Sequence, residues 1–290
     1  MGRKSLMRRF LPENLWGDRI YSRYLFRRSL GRNPEFPPEK FNDFLFYWKT
    51  DGSCYDPLVQ FATDKEFAKV YIEATVGKKY VVETYNILRS KEELEDFSPN
   101  QFPCIIKPTH SSGQALVCSD ASTYIDLSEL KKWFDIDYYK SKREQNYRFL
   151  QPKIIVEEFF SEDNHTIPKD YKIFCFRGVP KFLQIDLDRN SGHKRNLYDI
   201  FWNRIHATLL YPAKQEDDPK PVLFDEMVTV AQKLSAAFRF VRVDLYATNT
   251  EIRVGELTFV PGAAGEPLNP PEAEYTLGRY FKNSDWERRT

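Results

Sequence analysis

The sequence predicts an α+β protein with largely antiparallel sheets. First, Phe240-Val241-Arg242-Val243-Asp244-Leu245-Tyr246 alternates apolar and polar residues, the period of a half-buried strand. Residues 252–259 read as its return strand after the turn-forming Thr248-Asn249-Thr250. Second, strands at about 171–176 and 181–187 are close enough in sequence to form another hairpin. Third, helices lie between such strands. Asp64 is a good N-cap for one in which Phe67, Val70, Tyr71 and Ala74 recur at i, i+3, i+4 and i+7, and Gly77 ends it. Hairpins with interspersed helices give this fold class.

The remaining elements follow the same signals. Residues 1–32 carry nine Arg and Lys against Glu13 and Asp18, a local charge of about +7 in a chain whose net charge is only +1. Interleaved with Leu6, Phe10, Leu11, Leu15, Trp16, Ile20, Tyr21, Tyr24 and Leu25, these charges suit either a basic face against an anionic membrane or partner, or a helical hairpin with its arginines in water. Pro34, Pro37 and Pro38 forbid a continuous helix, and a short helix carrying Phe41, Phe44, Leu45 and Trp48 follows. Strands are expected at 80–85, 102–107, 114–118 and 154–159, with a long helical region at about 127–149. Residues 188–221 read as irregular, a helix is expected at about 222–238, and Pro270-Pro271 introduces a last one.

Composition sets the class. The chain has 290 residues, 41% of them hydrophobic, with 23 Phe and 17 Tyr, enough to build a sizeable core. No run approaches the ~18 apolar residues that span a bilayer. No apolar segment after Met1 suggests a secretory signal, and Met1-Gly2 lacks the Ser or Thr that myristoylation needs at position 6. Cys54, Cys104, Cys118 and Cys175 are far apart and lack metal-binding spacing, so buried free thiols and a cytoplasmic location are expected. The basic charge stops at residue 32, which argues against nucleic acid.

Four constellations carry chemistry. Folding the last hairpin about Thr250 pairs Tyr246 with Val254, Asp244 with Glu256 and Arg242 with Thr258. Opposed side chains lie roughly 5 Å apart, where two carboxylates repel unless a cation intervenes. Hard oxygen ligands of this kind suit Mg²⁺ carrying phosphates; the alternative is a solvated strand face. The apolar run ending in Lys107 leads into Pro108-Thr109-His110-Ser111-Ser112-Gly113, a small-residue loop able to close backbone N–H groups around phosphate oxygens. It is equally an edge strand with a polar turn. Val156-Glu157-Glu158-Phe159-Phe160, followed by Glu162 and Asp163, offers a strand edge, an aromatic face and acids. Lys172 shares an apolar strand face with Phe174 and Phe176 and needs an anion, either phosphate or a protein carboxylate. Arg195 and Asn196 are further candidates for an anion, and His110 is the histidine worth testing.

In this order the motifs resemble the ATP-grasp superfamily. Asp170-Tyr171-Lys172-Ile173-Phe174-Cys175-Phe176-Arg177-Gly178, Arg195-Asn196-Leu197-Tyr198-Asp199 and Gly255-Glu256-Leu257-Thr258-Phe259-Val260-Pro261-Gly262 are similar to its TupA-like branch, which is associated with teichuronopeptide and other bacterial surface-polysaccharide gene sets. The likeness covers about residues 22–282. It implies two α/β subdomains clasping ATP, with an N-terminal arm over 1–60, a first subdomain over 61–150 and a second over 151–290.

It further implies that Lys65 and Lys107 hold phosphates under a loop of Ser111, Ser112 and Gly113, while Glu157, Glu158 and Phe160 bind adenine. Glu162 or Asp163 is then the ribose acceptor and Lys172 lies near the γ-phosphate. Arg242, with Arg195 beside it in the catalytic set, steadies the reacting acyl group, and Gly262 offers N–H groups to an oxyanion. Asp244 and Glu256 match metal ligands for Mg²⁺ or Mn²⁺, but Thr258 stands where the family usually has Asn. The implied activity is an ATP-dependent carboxylate–amine ligase acting through an acylphosphate. Its partners would be a uronic-acid or peptide carboxylate and an amine, at the inner face of the cell membrane through the basic arm. A kinase for sugar hydroxyls and a non-catalytic nucleotide- or glycan-binding module are the alternatives.

Overall fold

The computed structural model describes residues 10–162, 166, 168–187 and 192–281. Helix α1 (Leu15–Leu30) starts at Asn14, whose side chain accepts from the Gly17 N–H, and ends at left-handed Gly31. It packs beside α2 (Phe41–Thr50), burying Tyr21 and Phe26 and leaving Arg19, Arg23, Arg27 and Arg28 exposed. The described part of the arm therefore packs as a helical hairpin, and its exposed arginines are what the membrane or partner reading also requires.

Helix α3 (Pro57–Thr63) runs straight into α4 (Lys65–Val76). Asp64 caps α4 as expected, through the N–H groups of Glu66 and Phe67. The expected core face is wrong: Phe67, Val70 and Ala74 are exposed, whereas Lys65, Ala68 and Ile72 are buried. Tertiary packing explains it: α4 docks along its Lys65, Ala68 and Ile72 side, and of the expected face only Tyr71 reaches the core, where its hydroxyl donates to the Leu234 carbonyl at 2.8 Å.

The smaller sheet consists of β1 (Thr84–Leu88), β2 (Cys104–Pro108), β3 (Leu116–Cys118) and, beyond α5 (Leu127–Trp133) and α6 (Tyr138–Lys142), β4 (Ile154–Glu158), ordered β1-β4-β2-β3. Residues 80–83, expected to open a strand, instead lead into β1, which starts at Thr84. The helical region expected at 127–149 is broken because the Asp137 side chain caps a new helix and Arg143, at φ +53°, ends it. Since β4 lies between β1 and β2, the smaller sheet extends to Glu158. One face of this sheet forms a core of its own with Leu130 and Trp133; Ile105, Lys107 and Glu157 lie on the other.

The larger sheet has the order β11-β10-β5-β6-β7-β8, with β5 (Asp170–Phe176), β6 (Val179–Leu187), β7 (Lys194–Asp199) and β8 (Arg204–Ile205). Strands β7, β8 and β9 (Thr208–Leu209) fall in the stretch read as irregular. Helix α7 (Phe224–Ser235) packs on the apolar face of β5, β6 and β10 (Phe240–Ala247). The hairpin closes with β11 (Ile252–Thr258); β12 (Leu268–Asn269) pairs with β9, and α8 (Ala273–Gly278) follows Pro270-Pro271. All four cysteines are buried and unlinked. No helix among the described residues is long and apolar enough to cross a membrane.

Candidate active site

The hairpin register is Arg242 opposite Thr258 and Asp244 opposite Glu256, as read from the sequence. Directly opposed residues of an antiparallel pair point to the same face, so both acids lie on one side of the sheet. Tyr246 pairs with Arg253, not Val254, because a bulge at Gly255 shifts the register by one. A Cβ on Gly255 would lie 2.6 Å from the Tyr246 ring, so only glycine lets that ring lie flat against β11.

From this hairpin a polar floor extends across the larger sheet. Lys172 lies opposite Asp244, Gln184 opposite Lys172, Asp186 opposite Asp170, and Arg195 opposite Asp186. Each acid faces at least one cation, and Lys172 and Arg195 are each shared by more than one acid. Arg242 grips both Asp244 oxygens at 2.7 Å, and Lys172 lies 3.3 Å from the same carboxylate. Lys172 also pairs closely with Asp170. Arg195 donates from Nε to Asp186 at 2.7 Å and lies 3.2 Å from Glu266. Lys65 lies 3.5 Å from Glu256 and donates to the Ser111 carbonyl at 2.7 Å, tying the small-residue loop to the metal-ligand candidates.

These pairings decide the protonation states. Burial pushes the Asp244 carboxyl up, but Arg242 and Lys172 outweigh it and hold the group below its ordinary range. Asp186 is lowered in the same way, against burial, by Lys172 and Arg195. Burial draws Lys172 down, and Asp170 with Asp244 more than reverse this. Of the two partners open for Lys172, the structure supplies protein carboxylates.

Between the sheets lies a cavity of about 380 Å³, lined by Val82, Ile105, Lys107, Val117, Glu157, Glu158, Phe160 and Tyr246 among others. Its walls are mainly apolar, and Lys107 forms a close ion pair there with Glu157. Lys69, which sequence reasoning missed, lies 2.9 Å from Glu157 on its other side. Burial raises the Glu157 carboxyl, yet Lys107 and Lys69 keep it below its usual value. The cavity thus gathers Lys107, Glu157, Glu158 and Phe160, separated in the chain by some fifty residues.

Other candidates lie elsewhere. Ser112 and Gly113 are exposed in the loop, whereas Ser111 is buried and donates to Gln114. Glu162 accepts from Asn249 at 2.6 Å in the β10–β11 turn and does not line the cavity; Asp163 is outside the described residues. Asn196 lies on the opposite face from Arg195, where it donates to Asp218. Gly262, at φ +57°, holds the chain close to Glu266, whose Cγ would be 2.2 Å from an added Cβ. His110 is clamped: Nδ1 accepts from the Lys153 N–H, so Nε2 donates to the Trp133 carbonyl, and burial lowers its pKa. It is a neutral packing residue, with no ring nitrogen left for phosphate.

Asp170, Asp186, Gln184 and Glu266 were also missed. Alternation along β5 and β6 was the available signal, since Asp170 and Lys172, like Gln184 and Asp186, recur at i and i+2.

The donor set fits a divalent cation: the carboxylates of Asp244 and Glu256 and the Thr258 hydroxyl are hard oxygens on one sheet face. Thr258 Oγ1 is 3.5 Å from Asp244 Oδ2, and Arg242 occupies the intervening position by also donating to Thr258 at 3.2 Å.

The TupA-like ATPgrasp family matches residues 50–282. The chain belongs to this family. Its ATP-grasp fold is the α+β architecture described above, with a four-stranded and a six-stranded antiparallel sheet and a small two-stranded one. No curated protein sequence gives a significant match. Among solved structures, D-alanine–D-alanine ligase from Bacillus anthracis is similar at a TM-score of 0.45 and 16% identity, over 76% of this chain and 64% of that one. The Helicobacter pylori D-alanine–D-alanine ligase gives 0.39 and 15%, over 78% and 60%. The ATP-grasp ligase PsnB, solved with a minimal precursor, Mg and ADP, gives 0.37 and 13%, over 76% and 58%. This TupA-like chain therefore spans 58–64% of the length of those proteins, and likeness at this level carries no argument about its substrates.

Proposed function

We propose that this chain is an ATP-dependent ligase. It would activate a carboxylate as an acylphosphate and join it to an amine in the assembly of a bacterial surface polysaccharide, using cytoplasmic ATP. The carboxylate is that of a uronic acid or a peptide. Support comes chiefly from one juxtaposition: Lys65 links the loop that follows Lys107 of the cavity, through the Ser111 carbonyl, to Glu256 on the hairpin of the floor.

In the first step a carboxylate oxygen of the substrate attacks the γ-phosphorus, and the bond to ADP breaks. In the second, the amine nitrogen forms a bond to the acyl carbon, phosphate leaves, and the nitrogen gives up its proton. Phosphoryl transfer needs positioning and charge neutralisation more than acid–base chemistry. Asp244, Glu256 and Thr258 would hold Mg²⁺ or Mn²⁺, which supplies part of that neutralisation. Lys107 and Lys69 share Glu157, so the cluster would present a net single positive charge at the cavity. Lys172 supplies another beside Asp244. Arg242, once it turns from Asp244, offers a planar fork for a carboxylate or acyl oxygen. The tight Gly262 turn brings backbone close to the Arg195 end of the floor.

The test is ADP and phosphate release with uronic acids crossed against amino acids. Release that requires both an acid and an amine is expected. A stable phosphorylated sugar would make the chain a kinase, and ATP binding without turnover in any combination would make it a binding module.

A further inference from the structure

The exposed side of α1 has no role in the site above. Trp16, Arg19, Arg23 and Arg27 recur at i, i+3, i+7 and i+11, which places them on one helical face. The opposite side, Asp18, Tyr21, Ser22 and Phe26, is buried. Trp16 is 63% exposed and its neighbour Leu15 45%. The arginines are exposed too, and Arg23 and Arg27 make no salt bridge among the described residues; Arg19 lies 5.9 Å from the Tyr47 ring. In sequence, residues 1–9 add four basic and no acidic residues, and residues 282–290 hold three basic against two acidic. Outside residues 1–32 the chain carries a charge near −6, so the positive charge is concentrated at one end.

We propose that this face of α1 docks the protein on an anionic phospholipid surface, with Trp16 and Leu15 entering the headgroup boundary and Arg19, Arg23 and Arg27 facing the lipid phosphates. The two parts have separate physical roles. Arginines near an anionic leaflet are attracted by its surface potential, and that attraction is screened by salt. An indole at the helix start prefers the interface, where its ring is apolar and its N–H stays wet. A soluble polyanion would use the arginines without needing the bulky apolar pair beside them. Helix α1 lies outside the matched family region and holds none of the residues assigned to the proposed reaction.

The experiment is flotation of the full chain with vesicles of phosphatidylcholine alone and of an equimolar phosphatidylcholine–phosphatidylglycerol mixture. Binding to the anionic vesicles only, weakened by salt, is expected. Each arginine near the surface is worth about fivefold, so the triple variant Arg19→Glu, Arg23→Glu, Arg27→Glu is expected to weaken binding on the order of a hundredfold or more. Brominated lipid in the same vesicles should quench tryptophan emission in the parent chain and do so less in Trp16→Phe. These positions are on the surface, so both variants should keep the parent melting temperature and ATP binding. Equal binding to neutral vesicles, an unaffected triple variant, or capture by polygalacturonate without capture by anionic vesicles would overturn the proposal.

Discussion

The cavity between the sheets and the floor of the larger sheet handle charge in opposite ways. The cavity is a mainly apolar-walled space with Glu158 at its wall and a compact ion cluster, Glu157 between Lys107 and Lys69. The floor is a continuous ion-pair network in which Asp244, Asp170, Asp186 and Glu266 are each matched by Lys172, Arg195 or Arg242. A ligand can enter the first by displacing water. It can enter the second only if a pair changes partners, because a buried charge left alone costs several kcal/mol. On the proposed function, shape selection would belong to the cavity, and the floor would exchange protein carboxylates for incoming anions.

Substituting the floor should do most damage. Asp244→Ala leaves Arg242 and Lys172 without their shared carboxylate, with an expected stability loss of about 3–5 kcal/mol by thermal melting. ADP release should drop below detection. If the variant melts like the parent, the floor is not a mutually dependent network. In the cavity, Lys107→Met leaves Glu157 with Lys69, so stability should change little. ATP binding measured by calorimetry should weaken about 10- to 100-fold, the size of one lost charge-assisted hydrogen bond. Unchanged ATP affinity would remove the nucleotide from this cavity.

Acid should loosen both regions together. The carboxyls of Glu157, Asp186 and Asp244 are held below their ordinary values of 4.5, 3.8 and 3.8. Their stabilisation is complete above those values and is lost as pH falls through the lower folded-state ones. Melting temperature should therefore decline below about pH 4.5, and Glu157→Gln should flatten part of that decline. Gly262→Ala, at φ +57° and against Glu266, should cost about 1–2 kcal/mol and disturb the Arg195 end of the floor without touching the cavity. The smallest change is expected from Thr258→Asn. Exchanging the hydroxyl for an amide oxygen should lower the Mg²⁺ concentration for half-maximal ADP release by a few fold, on the order of 1 kcal/mol.

Much of this was readable in the residues because local patterns decide it. Alternation along β10 and β11 put Asp244 and Glu256 opposite each other, and the Asp64 cap marked the start of α4. The Gly255 bulge was not readable, since it depends on the fit of the Tyr246 ring. The docking side of α4 depends on α7 and β11, so its apolar periodicity pointed the wrong way. Strand β7 is largely polar and β8 and β9 are two residues each, so none shows an apolar alternation, yet β7 holds Arg195 in the floor.

By itself, the order of residues determined an α+β chain with an acid-bearing hairpin, a lysine ending β2 and a basic N-terminal helix. Those are properties of neighbours within one strand or one turn. Only the tertiary structure decided that Lys69 braces Glu157, that Lys65 joins the Ser111 loop to Glu256, and that Arg242 and Lys172 share Asp244. The reason is physical: a buried charge must find its counterion in space, and any residue the fold brings within about 4 Å can provide it.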